Sequence, residues 1–239
     1  MEEAHYETTK LAENSWWYRG RTNAIRRAIK KFAVQKGDAL DVGAGYGAMF
    51  PFLTTFGPAT AYEIFPPCIE ACRRRGYKNV VTTEDELFSV PEIFSLVGAF
   101  DSLEHIEDDV AFLLRLRDKM TPDGILIATV PAHQFLWSKF DEINMHFRRH
   151  SKKSLRELME KSGYDVRYIS YWNCLVFIPA VIMRLIGRTA GGEALTPPKW
   201  INSILSAILY LESLWLTIAP LPMGISLMVV ATPKKAAFR

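Results

Sequence analysis

Ala39-Leu40-Asp41-Val42-Gly43-Ala44-Gly45-Tyr46-Gly47 decides how the rest of the chain is read. An apolar run that meets an acid and then carries glycine at every second position reads as a buried strand breaking into a tight turn before a helix. Glycine allows positive φ and lets a ligand approach the main chain closely. The helix that follows presents free N–H groups at its start. A small polar ligand is expected at this turn.

The chain has 239 residues, 49% of them hydrophobic and 23% charged, enough for one well-filled core with additions. A net charge of +3 is too mild to argue for a nucleic-acid partner. Cys68, Cys72 and Cys174 are odd in number and lack metal-ligand spacing, which fits a reducing compartment. The start, Met1-Glu2-Glu3-Ala4-His5, is acidic without an apolar run, so no secretory signal is read and a cytoplasmic place is expected.

Working outward, residues 48–56 read as a helix, 59–63 as a second strand ending in Glu63, and Pro66-Pro67 open a helix that Gly76 ends. Short strands follow at 79–82 and 93–100, then a helix at 107–120, a Pro122-Asp123-Gly124 turn, and a buried strand at 125–130. Ser151 caps a helix closed by Gly163, and 166–171 form a sixth strand. Alternating strands and helices imply a parallel sheet with crossovers. Upstream, 18–36 form a basic amphipathic helix with Arg19, Arg21, Arg26, Arg27, Lys30, Lys31 and Lys36 and no acid, just behind Trp16-Trp17-Tyr18.

Residues 172–222 break this rhythm, with Arg184, Arg188, Glu193, Lys199 and Glu212 as their only charges. Apolar helical runs at 175–186 and 201–219 flank a loop with Gly191-Gly192 and Pro197-Pro198. Residues 224–231 read as a further strand, so the insertion leaves and returns on one side and does not cross a membrane once. It is read as a lid, a membrane-interface element or an oligomer contact. Four units are expected: a cap segment at 1–36, a ligand-binding core at 37–171, the insertion at 172–222, and a last strand with its tail at 223–239.

The dinucleotide fingerprint G-x-G-x-x-G does not fit, because the third glycine comes one residue early and Asp41 would repel a pyrophosphate. An acid there suits an ammonium group instead. Glu63, about 20 residues past the first glycine, stands where a carboxylate accepts ribose hydroxyls. A cationic amino-acid end joined to a ribose describes S-adenosylmethionine (SAM). The stretch Leu40-Asp41-Val42-Gly43-Ala44-Gly45-Tyr46-Gly47 resembles the signature of the class I SAM-dependent methyltransferases. Asp101-Ser102-Leu103-Glu104-His105-Ile106 is similar to the D-x-L-E-H element of the quinone-pathway-like small-molecule and lipid branch, and Met120-Thr121-Pro122-Asp123-Gly124 stands at its L-K-P-G-G turn. The block around Trp16, and Trp137, Asp141, His146 and Arg148-Arg149, resemble a bacterial subgroup of that branch, with His150 in place of a usual tyrosine.

The resemblance implies an α/β, Rossmann-like, seven-stranded sheet, mostly parallel with an antiparallel last strand, flanked by helices and carrying a helical insertion before that strand. It implies SAM as cofactor and S-adenosylhomocysteine as product. Asp41, Gly43, Gly45 and Gly47 would shape the methionine pocket, and Glu63 would hold the ribose. Thr83, Glu84 or Asp85 would line the adenine, and Phe100 and Asp101 the sulfonium, with Tyr18 and Arg21 closing over the cofactor. His146, then His133, are the candidate general bases, because imidazole accepts a proton near neutral pH. Trp17, His105, Trp137, Arg149 and His150 are the candidate substrate contacts. No metal is expected. The expected partner is a small hydrophobic acceptor. Arg148, Arg149, Lys152 and Lys153, cations at a helix start, oppose the helix dipole and point to an anionic partner such as a membrane surface, with a peripheral place at the inner membrane face. A homodimer through the insertion is a further expectation. Methyltransferases acting on base nitrogens tend to carry an N-P-P-Y-like run where this chain has Asp101-Ser102-Leu103-Glu104, which speaks against nucleic acid. The competing readings are a membrane-associated binding or scaffold protein on the same fold, and a nicotinamide-dependent oxidoreductase.

Overall fold

A computed structural model of the chain describes residues 15–185 and 197–235. The acidic start, Arg188, Gly191-Gly192, Glu193 and the end of the tail lie outside the described residues. Helix α1 (Trp16–Ile29) is followed by strand β1 (Ala39–Val42), which is buried at every position. The one-turn α2 (Phe50–Leu53) leads to β2 (Ala59–Tyr62), α3 (Pro66–Arg75), β3 (Asn79–Val81) and α4 (Glu84–Ser89). Then come β4 (Phe94–Phe100), α5 (Asp109–Arg117), β5 (Met120–Pro131), the short α6 (Lys139–Ile143) and α7 (Lys152–Lys161). Strand β6 (Tyr164–Trp172), the insertion helices α8 (Phe177–Leu185) and α9 (Lys199–Trp215), and β7 (Ser226–Pro233) complete the chain.

The seven strands form one sheet in the order β3-β2-β1-β4-β5-β7-β6, with the seven strands and antiparallel last strand that were expected. Strand β7 runs antiparallel to both β5 and β6, and the remaining pairs are parallel. Central strands covered by helices on both faces are mostly apolar, and β4 is buried along its whole length. The chain winds outward from β1 to β3 and then starts again at β4, so the order reverses between β1 and β4. Crevices for ligands open at the carboxyl ends of strands at such a reversal. Val42 pairs with Tyr62 on one side and Ala99 on the other, so Gly43, Glu63 and Phe100 leave the sheet side by side.

Local chemistry explains most boundaries. Gly76 ends α3 in the left-handed region at φ 92°, and the Ser151 hydroxyl accepts the Ser154 N–H at the start of α7. Several expectations change, and the basic helix expected to run to 36 already ends at Ile29. The helix expected at 48–56 shrinks to α2, because tight turns run through Gly47 and Pro51 in its first turn brings no N–H. Pro122-Asp123-Gly124 is a bulge inside β5, where Met120 pairs with Phe94 and Ile125 already with Leu96. The Trp16-Trp17-Tyr18 block forms the first turn of α1 rather than preceding it. Helix α4 is an addition, started by the Thr83 hydroxyl accepting the Glu86 N–H.

The insertion folds back on the core. Helix α9 packs along α1 so closely that a Cβ on Gly20 would lie 2.3 Å from Leu209 Cδ1. Asn202 Oδ1 accepts the Trp16 N–H at 2.7 Å, and Arg27 Nε donates to Ser213 Oγ at 3.0 Å. Glu212, the acid inside the second apolar run, is buried and accepts the backbone N–H groups of Asn173, Cys174 and Leu175. Those bonds fix the exit of β6 to α9 and compensate a carboxylate that burial otherwise penalises. No helix among the described residues is long and apolar enough to cross a membrane.

Candidate active site

A cavity of about 1190 Å³ opens at the carboxyl ends of β1, β2 and β4. Trp16, Trp17 and Tyr18 of α1 close one side, and Val176, Pro179 and Leu205 of the insertion close another. At its floor the glycine turn runs with Gly43, Gly45 and Gly47 at φ 67°, 55° and 75°. A Cβ on Gly45 would meet nothing within 4 Å and would project into empty space, so this glycine leaves room for a ligand. Gly47 lies outside the cavity, its Cβ position taken by the Arg75 and Tyr77 side chains. Cys72 pins the turn by donating its thiol to the Gly45 carbonyl, and burial pushes the Cys68 and Cys72 thiols up to about 12.

Glu63 ties β2 to this turn. Its Oε1 accepts the Ile64 and Phe65 N–H groups at 2.8 and 2.9 Å, and its Oε2 accepts the Gly45 N–H at 2.7 Å. With about two acceptor positions per carboxylate oxygen, Oε2 keeps one open toward a ligand hydroxyl. Beneath it Asp41 is buried and accepts the Tyr77 hydroxyl at 2.5 Å. Burial raises its pKa to about 6, against the Tyr77 bond and the Arg21 charge, which pull it down. An ionised Asp41 therefore lacks a full counter-charge in the free protein.

Asp101, at the exit of β4, sits in the left-handed region at φ 56°, a costly conformation for a non-glycine residue. It is held there by Arg21, whose Nη1 donates at 2.7 Å, and by the Thr129 hydroxyl at 2.9 Å. Burial works against the Arg21 cation, but the Asp101 charge overrules it and raises the guanidinium pKa. Tyr18 lies under the guanidinium at 4.8 Å.

Across the cavity stands Asp141, fully buried at the start of α6. Its Oδ1 meets His146 Nδ1 at 3.0 Å and accepts Arg149 Nε at 2.8 Å, while Oδ2 accepts Arg149 Nη2 at 3.0 Å. Burial would raise this carboxyl, but the bonds from His146 and Arg149 hold it at about 2. A carboxylate only accepts, so Nδ1 carries the proton and Nε2 of His146 is the basic nitrogen. His105 crosses the His146 ring edge-on at 4.6 Å, and burial lowers its pKa to about 4. Glu104 is 1% exposed, its Oε2 has no partner, and burial followed by the Asp101 charge pushes its carboxyl well above the usual range. Glu104, His105 and His146 each offer an atom within 4.8 Å of the others, a donor set that divalent metals accept.

The cavity thus gathers Trp17, Tyr18, Arg21, Asp41, Gly43, Gly45, Glu63, Glu84, Phe100, Asp101, His105, His146 and Arg149. It does not gather five others. Asp85 turns its side chain fully to solvent, and its neighbour Glu84 takes the lining position. His133, at φ 62°, stacks flat on Tyr171 with ring centres 5.0 Å apart, away from the cavity, and burial lowers its pKa. His150 is buried behind the loop, its pKa lowered to about 4 by burial and then Arg148, and its carbonyl accepts the His133 N–H. Trp137 and Gly47 also fall outside the lining. The basic cluster has internal partners: Arg148 pairs with Asp109 at 2.7 Å, Arg149 with Asp141, and Lys152 donates to the Leu221 carbonyl. Lys153 is exposed, 3.9 Å from Glu157. Sequence reasoning gives no role to three residues of this arrangement: Glu104, although it lies in the D-x-L-E-H element, Asp141, although it lies in the stretch resembling a bacterial subgroup, and Tyr77, which carries no signal.

Comparison with solved structures gives a putative methyltransferase in complex with the Haloferax volcanii Trm112 methyltransferase activator, 14% identical with a TM-score of 0.62, covering 98% of this chain and 95% of that one. A SAM-dependent methyltransferase from Archaeoglobus fulgidus is 16% identical with a TM-score of 0.58, over 90% and 94% of the two chains. The [4+2]-cyclase SpnF is 15% identical with a TM-score of 0.56, over 90% and 80%. At these identities the likeness concerns the fold, and the cyclase shows that the fold alone does not set the reaction. Comparison with curated proteins gives no match. A family model described as a methyltransferase domain matches residues 17–169, which run from the cavity roof to β6. The chain belongs to this methyltransferase-domain family and has the class I SAM-dependent fold.

Proposed function

We propose that the chain moves the methyl group of SAM to a small hydrophobic acceptor, with His146 as general base and S-adenosylhomocysteine as product. The observation that carries this reading is one cavity lined both by the glycine turn with Glu63 and by His146, which the buried Asp141 holds from behind. When bound, SAM supplies a methyl group already activated by its positive sulfur. The open space above Gly45, the buried Asp41 carboxylate and the free acceptor position on Glu63 fit its amino-acid and ribose parts. Asp101 and Phe100 stand between the two walls and would face the sulfonium.

Orientation supplies much of the acceleration in such a transfer, up to roughly 7–11 kcal/mol in favourable cases. Asp141 stays ionised at working pH and fixes the imidazole, so Nε2 can take the proton that an acceptor hydroxyl loses as its oxygen is methylated. The apolar hairpin residues Val176, Pro179 and Leu205 on the cavity wall suit a hydrophobic acceptor. The D-x-L-E-H element adds a likeness to the quinone-pathway-like branch, with Glu104 as its buried acid.

Asp41 gives this reading a pH signature. The native protein binds a proton on Asp41 more tightly than the unfolded chain does, with a pKa near 6 against the usual 3.8. The free protein therefore loses about 3 kcal/mol from this group as pH rises from well below 4 to well above 6. A ligand ammonium beside the ionised carboxylate recovers that loss. S-adenosylhomocysteine is expected to bind more weakly as pH falls through about 6, and Asp41→Asn to flatten the dependence and weaken binding at neutral pH. Titration calorimetry at several pH values reads both, and NADH in the same cell should give no heat. Affinity independent of pH in the native protein would remove Asp41 from the cofactor site.

A further inference from the structure

Helix α9 is turned the unusual way round. Of its polar residues Asn202, Glu212 and Ser213 face the protein beside the buried Leu209, while Lys199 and Ser203 are exposed; Trp200, Ile204, Ala207, Leu211 and Trp215 form an apolar stripe on the solvent side, continued by Ile218 in the turn after the helix. Successive members of that stripe lie three or four residues apart, as one helix face requires. Trp200 is 67% exposed, Leu211 62%, Trp215 53% and Ile218 76%. Leu175, Ile178 and Ile182 of the neighbouring arm are also exposed. Contiguous apolar surface of this kind marks a binding face in a folded protein.

The surroundings identify the occupant. On α1, residues 16, 20 and 27 form the seam with α9, and Arg19, Arg26 and Lys30 line the exposed stripe next to that seam. The described stretches 15–37, 173–185 and 197–225 contain a single acid, Glu212, and it is buried. An apolar face flanked by cations without exposed acids complements an anionic lipid surface, whereas the same cations would repel a second copy of the chain. Among the described residues neither α8 nor α9 is long and apolar enough to cross a bilayer, so the face suits shallow insertion. Val176, Pro179 and Leu205 of the same hairpin line the cavity, which opens beside this face.

We propose that α8 and α9 lay their outward face into the interface of an anionic phospholipid bilayer, with the cationic stripe of α1 against the headgroups. The surface does not depend on the reaction in the cavity. Full-length protein should float with vesicles of phosphatidylcholine and phosphatidylglycerol, and far less with phosphatidylcholine alone. Ile204→Ser/Leu211→Ser/Trp215→Ser, all exposed and outside the cavity, should weaken partitioning by roughly a hundredfold. Arg26→Gln/Lys30→Gln should weaken it about twentyfold at low salt and little at high salt. Both variants should keep the thermal midpoint and the S-adenosylhomocysteine affinity of the parent, which separates this surface from the cofactor site. Absence of flotation with either vesicle, or equal flotation of the triple serine variant, would overturn the proposal. So would a dimer by light scattering that the triple variant abolishes in protein that does not float.

Discussion

Turnover is expected to fall about 10²–10⁴-fold when His146 is replaced by glutamine, the usual contribution of a positioned general base. The side chain is anchored at Nδ1 by Asp141, which Arg149 holds from the other side, so removing the imidazole leaves the Asp141–Arg149 pair in place. The fold should survive, and S-adenosylhomocysteine should bind as before, because His146 lies across the cavity from Glu63 and the glycine turn. The loss should appear in kcat rather than KM, which a merely structural histidine would not produce. Added divalent metal should not restore the rate. Steady-state kinetics within about threefold of the parent would assign the proton elsewhere and leave His146 as a neighbour of the site.

Glu63→Ala is expected to weaken S-adenosylhomocysteine binding by roughly 10- to 150-fold, corresponding to about 1.5–3 kcal/mol for hydrogen bonds to a charged group. Two losses combine. The open acceptor position on Oε2 disappears, and the Gly45, Ile64 and Phe65 N–H groups lose the carboxylate that fixes the turn against β2. Glu63→Gln separates the two, since its amide oxygen can still accept while its –NH₂ group faces backbone donors. The melting temperature of the free Glu63→Ala protein should also fall, because these bonds exist without ligand. Calorimetry giving an affinity within twofold of the parent would show that Glu63 serves the turn alone.

The parts of the fold that were legible depend on local backbone chemistry. Asp41 through Gly47 needs positive φ at three glycines, Gly76 ends a helix in the left-handed region, and Ser151 caps one, whatever the rest of the molecule does. A parallel sheet follows from the alternation of strands and helices, but the order of its strands comes from the structure alone. Short elements escaped because their signals are composed of few residues: α4 is acidic with a single threonine cap, and α6 lies among histidines that draw attention to chemistry instead.

Side-chain partnerships were harder to read. His133, His146 and His150 share one loop and look alike in sequence, yet only His146 meets a buried carboxylate and faces the cavity. Arg148 and Arg149 look like cations waiting for an anion until the fold brings Asp109 and Asp141 to them. Glu104 sits in a recognisable motif, but its burial arises from elements far along the chain. The apolar insertion was legible as an anomaly, and only the packing of α9 on α1 divides its two apolar sides into one against the core and one outward.

Incubation of the protein with methyl-labelled SAM and a lipid-rich extract of its source cells tests the central claim most directly. The account predicts label in a hydrophobic product, formed with release of S-adenosylhomocysteine and lost in His146→Gln. Binding of S-adenosylhomocysteine without label in any fraction of the extract would contradict it, and would make the chain a binding protein on a methyltransferase fold.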